Sequence, residues 1–227
     1  MGPLTTIRHN PQMTELSKAE NRKDAIVDAV AAIVLSVAAL LTSWASFQSA
    51  LWDGEQAANY TRAGTARVQA SLLATENGQS EAVDLVLFTQ WLNAYAAKDR
   101  RLQDFYHERF RPEFRRAFDT WRDQQPLHNG QAAHSPFVMK EYAPALAQKA
   151  AAADKRADAL FDEGQRCNDV SDAYVAATVI LALALFLAGI GQSFDRRHLT
   201  AALTLLAGLA CVFGLIQLIS LPTLSLG

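Results

Sequence analysis

The chain has 227 residues, a formal net charge of −2 at neutral pH and a residue complement that is 50% hydrophobic. The near-neutral balance excludes the basic footprint of a nucleic-acid binder. Its two cysteines, Cys167 and Cys211, lie far apart and exclude a C-x-x-C metal or redox pair and a disulfide-stapled scaffold.

Residues 1–24 read as a cytoplasmic tail, polar and aperiodic with Pro3 and Pro11, and disordered over Met1 to Ser17. Lys18, Arg22 and Lys23 then lead into an uncharged run from Ala29 to Trp52, which reads as a first transmembrane helix over 25–52. A cleaved signal peptide is the rival reading, but the apolar core exceeds the usual signal length, so an uncleaved anchor is expected. Two further uncharged runs, Ala173 to Phe194 and His198 to the C-terminus, read as transmembrane helices over 173–194 and 199–221. Each is as long as the roughly 20 apolar residues that a bilayer crossing needs. A turn at 195–198 joins the last two, and 222–227 forms a short outer tail.

The first helix is expected to continue past the membrane to about Leu73 and to break near Asn77–Gly78. Along it a small residue recurs at every seventh position: Ala29, Ser36, Ser43, Ala50, Ala57, Gly64 and Ser71. Such a repeat keeps one helix face toward one partner, and small residues let backbones approach closely. A second seam, Ala143, Ala150, Ala157, Gly164, Ser171 and Thr178, has the same spacing. The two seams are therefore expected to pack together as a coiled-coil-like stalk over 53–76 and 141–172. A cap over 80–136 would hold the aromatic residues. It would comprise a helix from about Ser80 to Phe110, interrupted at Lys98–Arg101, and a short helix from Glu113 to Asp123 behind Pro112. Gln124 to Pro136 reads as a loop. The expected fold is all-α and polytopic, with three transmembrane helices and a helical domain over 53–172.

Arg8, Lys18, Arg22 and Lys23 precede the first span, and Arg196 and Arg197 fill the 195–198 turn. Asp53, Glu55, Asp169 and Asp172 flank the other side. The positive-inside rule then puts the N-terminus in the cytoplasm and segment 53–172 outside it. That segment carries 15 Lys and Arg against 18 Asp and Glu, close to neutral.

Chemistry-bearing motifs are sparse. The histidines have no metal-ligand spacing, and no phosphate loop, dinucleotide fingerprint or nucleophile elbow occurs. No catalytic residue, metal or cofactor is assigned, and the chain is expected not to be an enzyme. His107–Glu108 is a surface pair or a groove-facing one. Arg109, Arg111, Arg115 and Arg116 form a candidate cluster for an anionic partner. The alternative is a helix corner whose arginines pair with Glu108, Glu113 and Asp119. Asp28, Ala32, Ser36, Ala39, Ser43, Ser46 and Asp53 share an arc of the first span. In a homo-oligomer this arc is either a helix-packing face or the acid-ended, hydroxyl-lined wall of a cation pore. Gln217 is expected to make an interhelical hydrogen bond, and Ala184/Ala188 and Ala210/Gly214 to permit close contact.

The blocks Trp52–Ala57, Tyr60–Ser71, Phe88–Tyr95, Arg109–Phe114, Pro126–Asn129 and Ser135–Phe137 are similar as a set to a group of bacterial three-span integral membrane proteins with no assigned activity. The resemblance covers roughly residues 25–220. It implies placement in the bacterial inner membrane and carries no site residue. The function expected is a non-enzymatic oligomeric scaffold or sensory subunit. Its partners would be lipid, further copies of itself and a membrane protein. The alternative is a homo-oligomeric cation channel.

Overall fold

The computed structural model describes residues 11–194 and 196–225. Among them every regular element is helical: α1 (Pro11–Ala96), α2 (Arg100–Glu108), α3 (Pro112–Asp123), a 3-10 turn (Pro136–Val138), α4 (Ala145–Gly191) and α5 (Arg197–Ser220). Three of these helices, α1, α4 and α5, are long and apolar enough to cross a membrane. The disordered reading of Met1–Asn10 falls outside the described residues, whereas Pro11–Ser17 belong to α1 rather than to a disordered tail.

The break expected at Asn77–Gly78 does not occur. A single helical glycine costs only about 1 kcal/mol relative to alanine. Asn77 instead donates from Nδ2 to Glu81 one turn on, at 2.8 Å. The helix ends instead at Ala96, through a Schellman arrangement. Lys98 takes a left-handed φ of 56°, its N–H reaches Tyr95 O at 3.0 Å, and Asp99 N–H reaches Ala94 O at 3.0 Å. Asp99 then caps α2, its carboxylate accepting from Leu102 N–H at 3.1 Å. The solvated interruption expected at Lys98–Arg101 is therefore the true end of α1.

The chain forms two compact units, residues 1–57 with 164–227 and residues 58–163. The first unit packs α1, α4 and α5 around Ala38, Ala45, Tyr174, Ala177, Leu181, Ala184, Cys211 and Leu218. A methyl group on Gly214 would stand 2.9 Å from Leu181 Cδ2, so this glycine is what lets α5 approach α4. Outside this core the unit is covered by exposed apolar side chains, among them Leu40, Phe186, Leu205, Ile216 and Ile219. Such a shell is unfavourable in water and suits hydrocarbon.

The second unit centres on Phe88, Trp91, Phe110, Phe114, Phe118 and Trp121. Their rings meet mostly edge-to-face; Trp91–Phe118, for example, are 4.7 Å apart at 74°. Phe114 and Phe118 are fully buried, each stabilising by about 1.5–3 kcal/mol through area removed from water. The sequence places Leu85, Phe88, Leu92, Tyr95, Leu102, Tyr106 and Phe110 on one helical stripe, of which Phe88 and Phe110 are buried, as is Trp91 beside it. Leu85, Tyr95 and Leu102 remain exposed.

Candidate functional site

In both units the buried face of α1 is not the seam read from the sequence. Ala50, Ala57, Gly64 and Ser71 are exposed. In the first unit the buried positions include the series Ala31, Ala38 and Ala45; in the second they include Ala63, Ala70, Asn77, Asp84 and Trp91, beside Asn59, Ala66 and Phe88. The spacing of seven is kept, but the register is displaced. Two residues along a helix turn its face by roughly 200°, so the Ala29–Ser36–Ser43 arc lies opposite the Ala31–Ala38–Ala45 arc. On α4, by contrast, Ala150 and Ala157 are buried in the second unit, and Gly164 and Ser171 in the first. Asp28, Ala32, Ser36, Ala39, Ser43, Ser46 and Asp53 are likewise exposed, with no helix of this chain over them. Ser36 satisfies its hydroxyl on its own helix, donating to Ala32 O at 2.8 Å.

At the end of the apolar run of α1 sits a polar group that sequence reasoning passed over. Gln48 is fully buried. Its Nε2 donates to Leu224 O at 3.0 Å, and its Oε1 accepts from Leu224 N–H at 3.0 Å. Trp52 Nε1 and Tyr174 Oη both donate to Pro222 O, at 3.2 and 3.0 Å. The segment after α5 is thus held by its backbone against α1 and α4. Ser49 and Ser171 share a buried hydroxyl contact at 2.9 Å, and Gln56 donates to Asn168 at 2.8 Å. An uncharged glutamine in an apolar run was the available signal, because such a group needs partners in lipid. The interhelical hydrogen bond expected of Gln217 is not formed by its buried Oε1, which has no partner among the described residues.

In the second unit the arginine cluster is dispersed. Arg109 lies over the Phe105 ring at 3.4 Å and donates to Phe105 O. Arg115 donates to the carbonyls of Glu108 and Phe110, and Arg116 is exposed. Arg111 turns away to Asp84, the one fully buried carboxylate among the described residues. Its Nε donates to Oδ1 at 3.0 Å and its Nη2 to Oδ2. Tyr142 adds a third donor to the carboxylate, its hydroxyl reaching Oδ2 at 3.1 Å. The pairing of these arginines with Glu108, Glu113 and Asp119 is therefore corrected. Asp119 accepts instead from His107 Nε2 at 2.8 Å and lies 3.3 Å from Arg122.

The Asp84 cluster has a clear local cause. Arg111 is the residue before Pro112, extended in backbone, and it starts α3 without a side-chain cap, since a guanidinium has only donors, which leaves it to reach Asp84. The hydrogen bond from Arg111 to Asp84 raises the guanidinium pKa further. Burial first, then the Asp84 charge, pushes the Tyr142 phenol well above its ordinary range. Charge-assisted bonds from two side chains thus tie α1 to the start of α3 and to the segment entering α4. A cleft lined by Gly78, Glu81, Leu85, Phe137 and Tyr142 opens beside them. Among the described residues no group of three or more His, Cys, Asp or Glu converges as a metal site would require.

No family model matches the chain, and neither a curated protein nor a solved structure matches it.

Proposed function

We propose that the chain is a multi-pass protein of the bacterial inner membrane acting as a non-enzymatic, homo-oligomeric scaffold or sensory subunit. The observation that carries this reading is the uncovered face of α1. Within an apolar run, Ala32, Ser36, Ala39, Ser43 and Ser46 present small and hydroxyl side chains away from the chain's own helices. Many exposed positions elsewhere in the unit carry large apolar side chains, such as Leu40, Leu183 and Leu205. A smooth face of small residues gains more from a second helix than from acyl chains. The basic flanks argue for a cytoplasmic N-terminus, with segment 53–172 on the other side as a stalk and cap. The test is the mass of the assembly in nanodiscs together with disulfide cross-linking of a Ser43→Cys variant. A monomer that never cross-links at this position overturns the proposal.

The same face supports a second reading, a cation channel, because acids bound it at both ends, Asp28 and Asp53, with hydroxyls between. Liposome cation flux that falls in Asp28→Asn supports conduction. A Ser43→Cys thiol that no water-soluble reagent reaches removes it.

A further inference from the structure

The last turns of α1, the end of α3 and the turn that follows α3 enclose a pocket of about 240 Å³ in the second unit. Two of its walls are indoles, Trp91 and Trp121, each only 5% exposed. The Trp121 N–H is already spent on Ala133 O at 2.8 Å, so this ring offers only apolar surface. Trp91 is stacked on Tyr95 at 5.3 Å and 26°, and Tyr95 is 40% exposed, leaving part of this ring pair free to contact another planar group. The lip is Pro126 and Leu127, the latter a large aliphatic residue left 56% exposed.

This lip is held in a conformation that asks for a reason. Gln125 has a left-handed φ of 53°, uncommon outside glycine. The turn is fastened by His128 and Asn129 N–H groups on Gln125 O, at 2.8 and 2.9 Å. Gln125 and His128 line the pocket, and their exposed side chains make no hydrogen bond among the described residues. Arg122 is the one formally charged group in the lining. Its Nη2 lies 3.3 Å from Asp119, which leaves further guanidinium donors free. No carboxylate lines the pocket, so an aromatic-cage site for a cation is disfavoured by Arg122 itself.

Size, stacking surface and charge converge on one ligand class. We propose that this pocket binds a small aromatic carboxylate, its ring against the Trp91–Tyr95 pair and Leu127, its carboxylate on Arg122. A guanidinium fork matches a carboxylate in two parallel hydrogen bonds, which a single ammonium would not. The site is independent of whatever the membrane helices assemble into.

The experiment is calorimetric titration of the detergent-solubilised full chain with three probes: 4-hydroxyphenylacetate, benzyl alcohol and benzylamine. Tryptophan fluorescence is followed in parallel. The carboxylate is expected to bind saturably, with Kd in the millimolar range or tighter for a ligand of about ten heavy atoms. Arg122→Gln weakens it about tenfold and leaves benzyl alcohol unaffected. Leu127→Asp, a change at the exposed lip, weakens the carboxylate by repulsion and weakens benzyl alcohol less, through the lost ring contact alone. Benzylamine binding as tightly as the carboxylate overturns the proposal. So does the absence of saturable carboxylate binding, or carboxylate binding unchanged in both variants.

Discussion

Gln48 and Leu224 exchange two backbone-directed hydrogen bonds, each 3.0 Å, across 176 positions of the chain. The side-chain amide completes the pairing of one extended residue as a neighbouring strand would. Gln48→Leu keeps the apolar helix but strands the N–H and C=O of Leu224, at a cost of about 1–3 kcal/mol. The segment after α5 should then open. Thiol labelling of a Leu224→Cys reporter should speed up about tenfold in the Gln48→Leu background. Unchanged labelling would show that the clasp holds nothing.

Asp84 and Arg111 form the second unit's buried pair. Removing one partner leaves the other uncompensated, which costs about 3–5 kcal/mol in buried sites. Arg111 is 28% exposed, so the lower end applies. Asp84→Asn should lower the thermal midpoint of the solubilised protein by several degrees, whereas Arg116→Gln, at an exposed arginine of the same cluster, should be nearly silent. Equal effects would mean that the arginines act as a surface patch after all.

Tyr142 gives this cluster a pH signature. Its folded pKa is raised above the ordinary value of 10.0, by burial first and then by Asp84. The unfolded chain therefore loses this proton first as pH rises. The group's contribution is fully present below pH 10 and declines above it, toward the folded pKa. Tyr142→Phe should flatten the fall in stability above pH 10 relative to the parent. It should also remove the last phase of tyrosinate absorbance. A spectrophotometric titration with that late phase intact would refute the assignment.

Gly214 and Gly189 sit on helices of the same unit but in opposite surroundings. A Cβ at Gly214 meets Leu181 at 2.9 and 3.0 Å, whereas one at Gly189 meets nothing within 4 Å. Gly214→Ala should destabilise by about 1–3 kcal/mol through overpacking. Gly189→Ala should be neutral or stabilising, by up to about 1 kcal/mol from helix propensity. Thermal midpoints in one detergent decide both, and the order reversed would contradict the α4–α5 contact.

Ala38 and Ala39 separate the two faces of α1. Ala38 is fully buried in the helix core, and Ala39 is exposed on the small-residue face. Ala38→Leu should lower stability by about 1–3 kcal/mol. Ala39→Leu should leave stability intact and reduce the mass of the assembly in nanodiscs. An Ala39→Leu variant with the parental mass would place any oligomer contact elsewhere.

Three long uncharged runs, the heptad spacing, Pro112 and the aromatic stripe made the helices legible from the residues alone. Each is a local property, set by composition and by the 3.6-residue period. Which of two small-residue arcs on α1 is buried is not local. Ala is frequent on both arcs, and a shift of two positions exchanges one face for its opposite. The choice depends on partners more than 100 residues away, such as Ser171 against Ser49. The same holds for Asp84, one carboxylate among many until Arg111 and Tyr142 close on it, and for Gln48, whose partner is the backbone of the C-terminal segment. Helices follow from local sequence because their hydrogen bonds close within four residues; faces and buried polar pairs wait for the tertiary structure because only there are their desolvation costs offset.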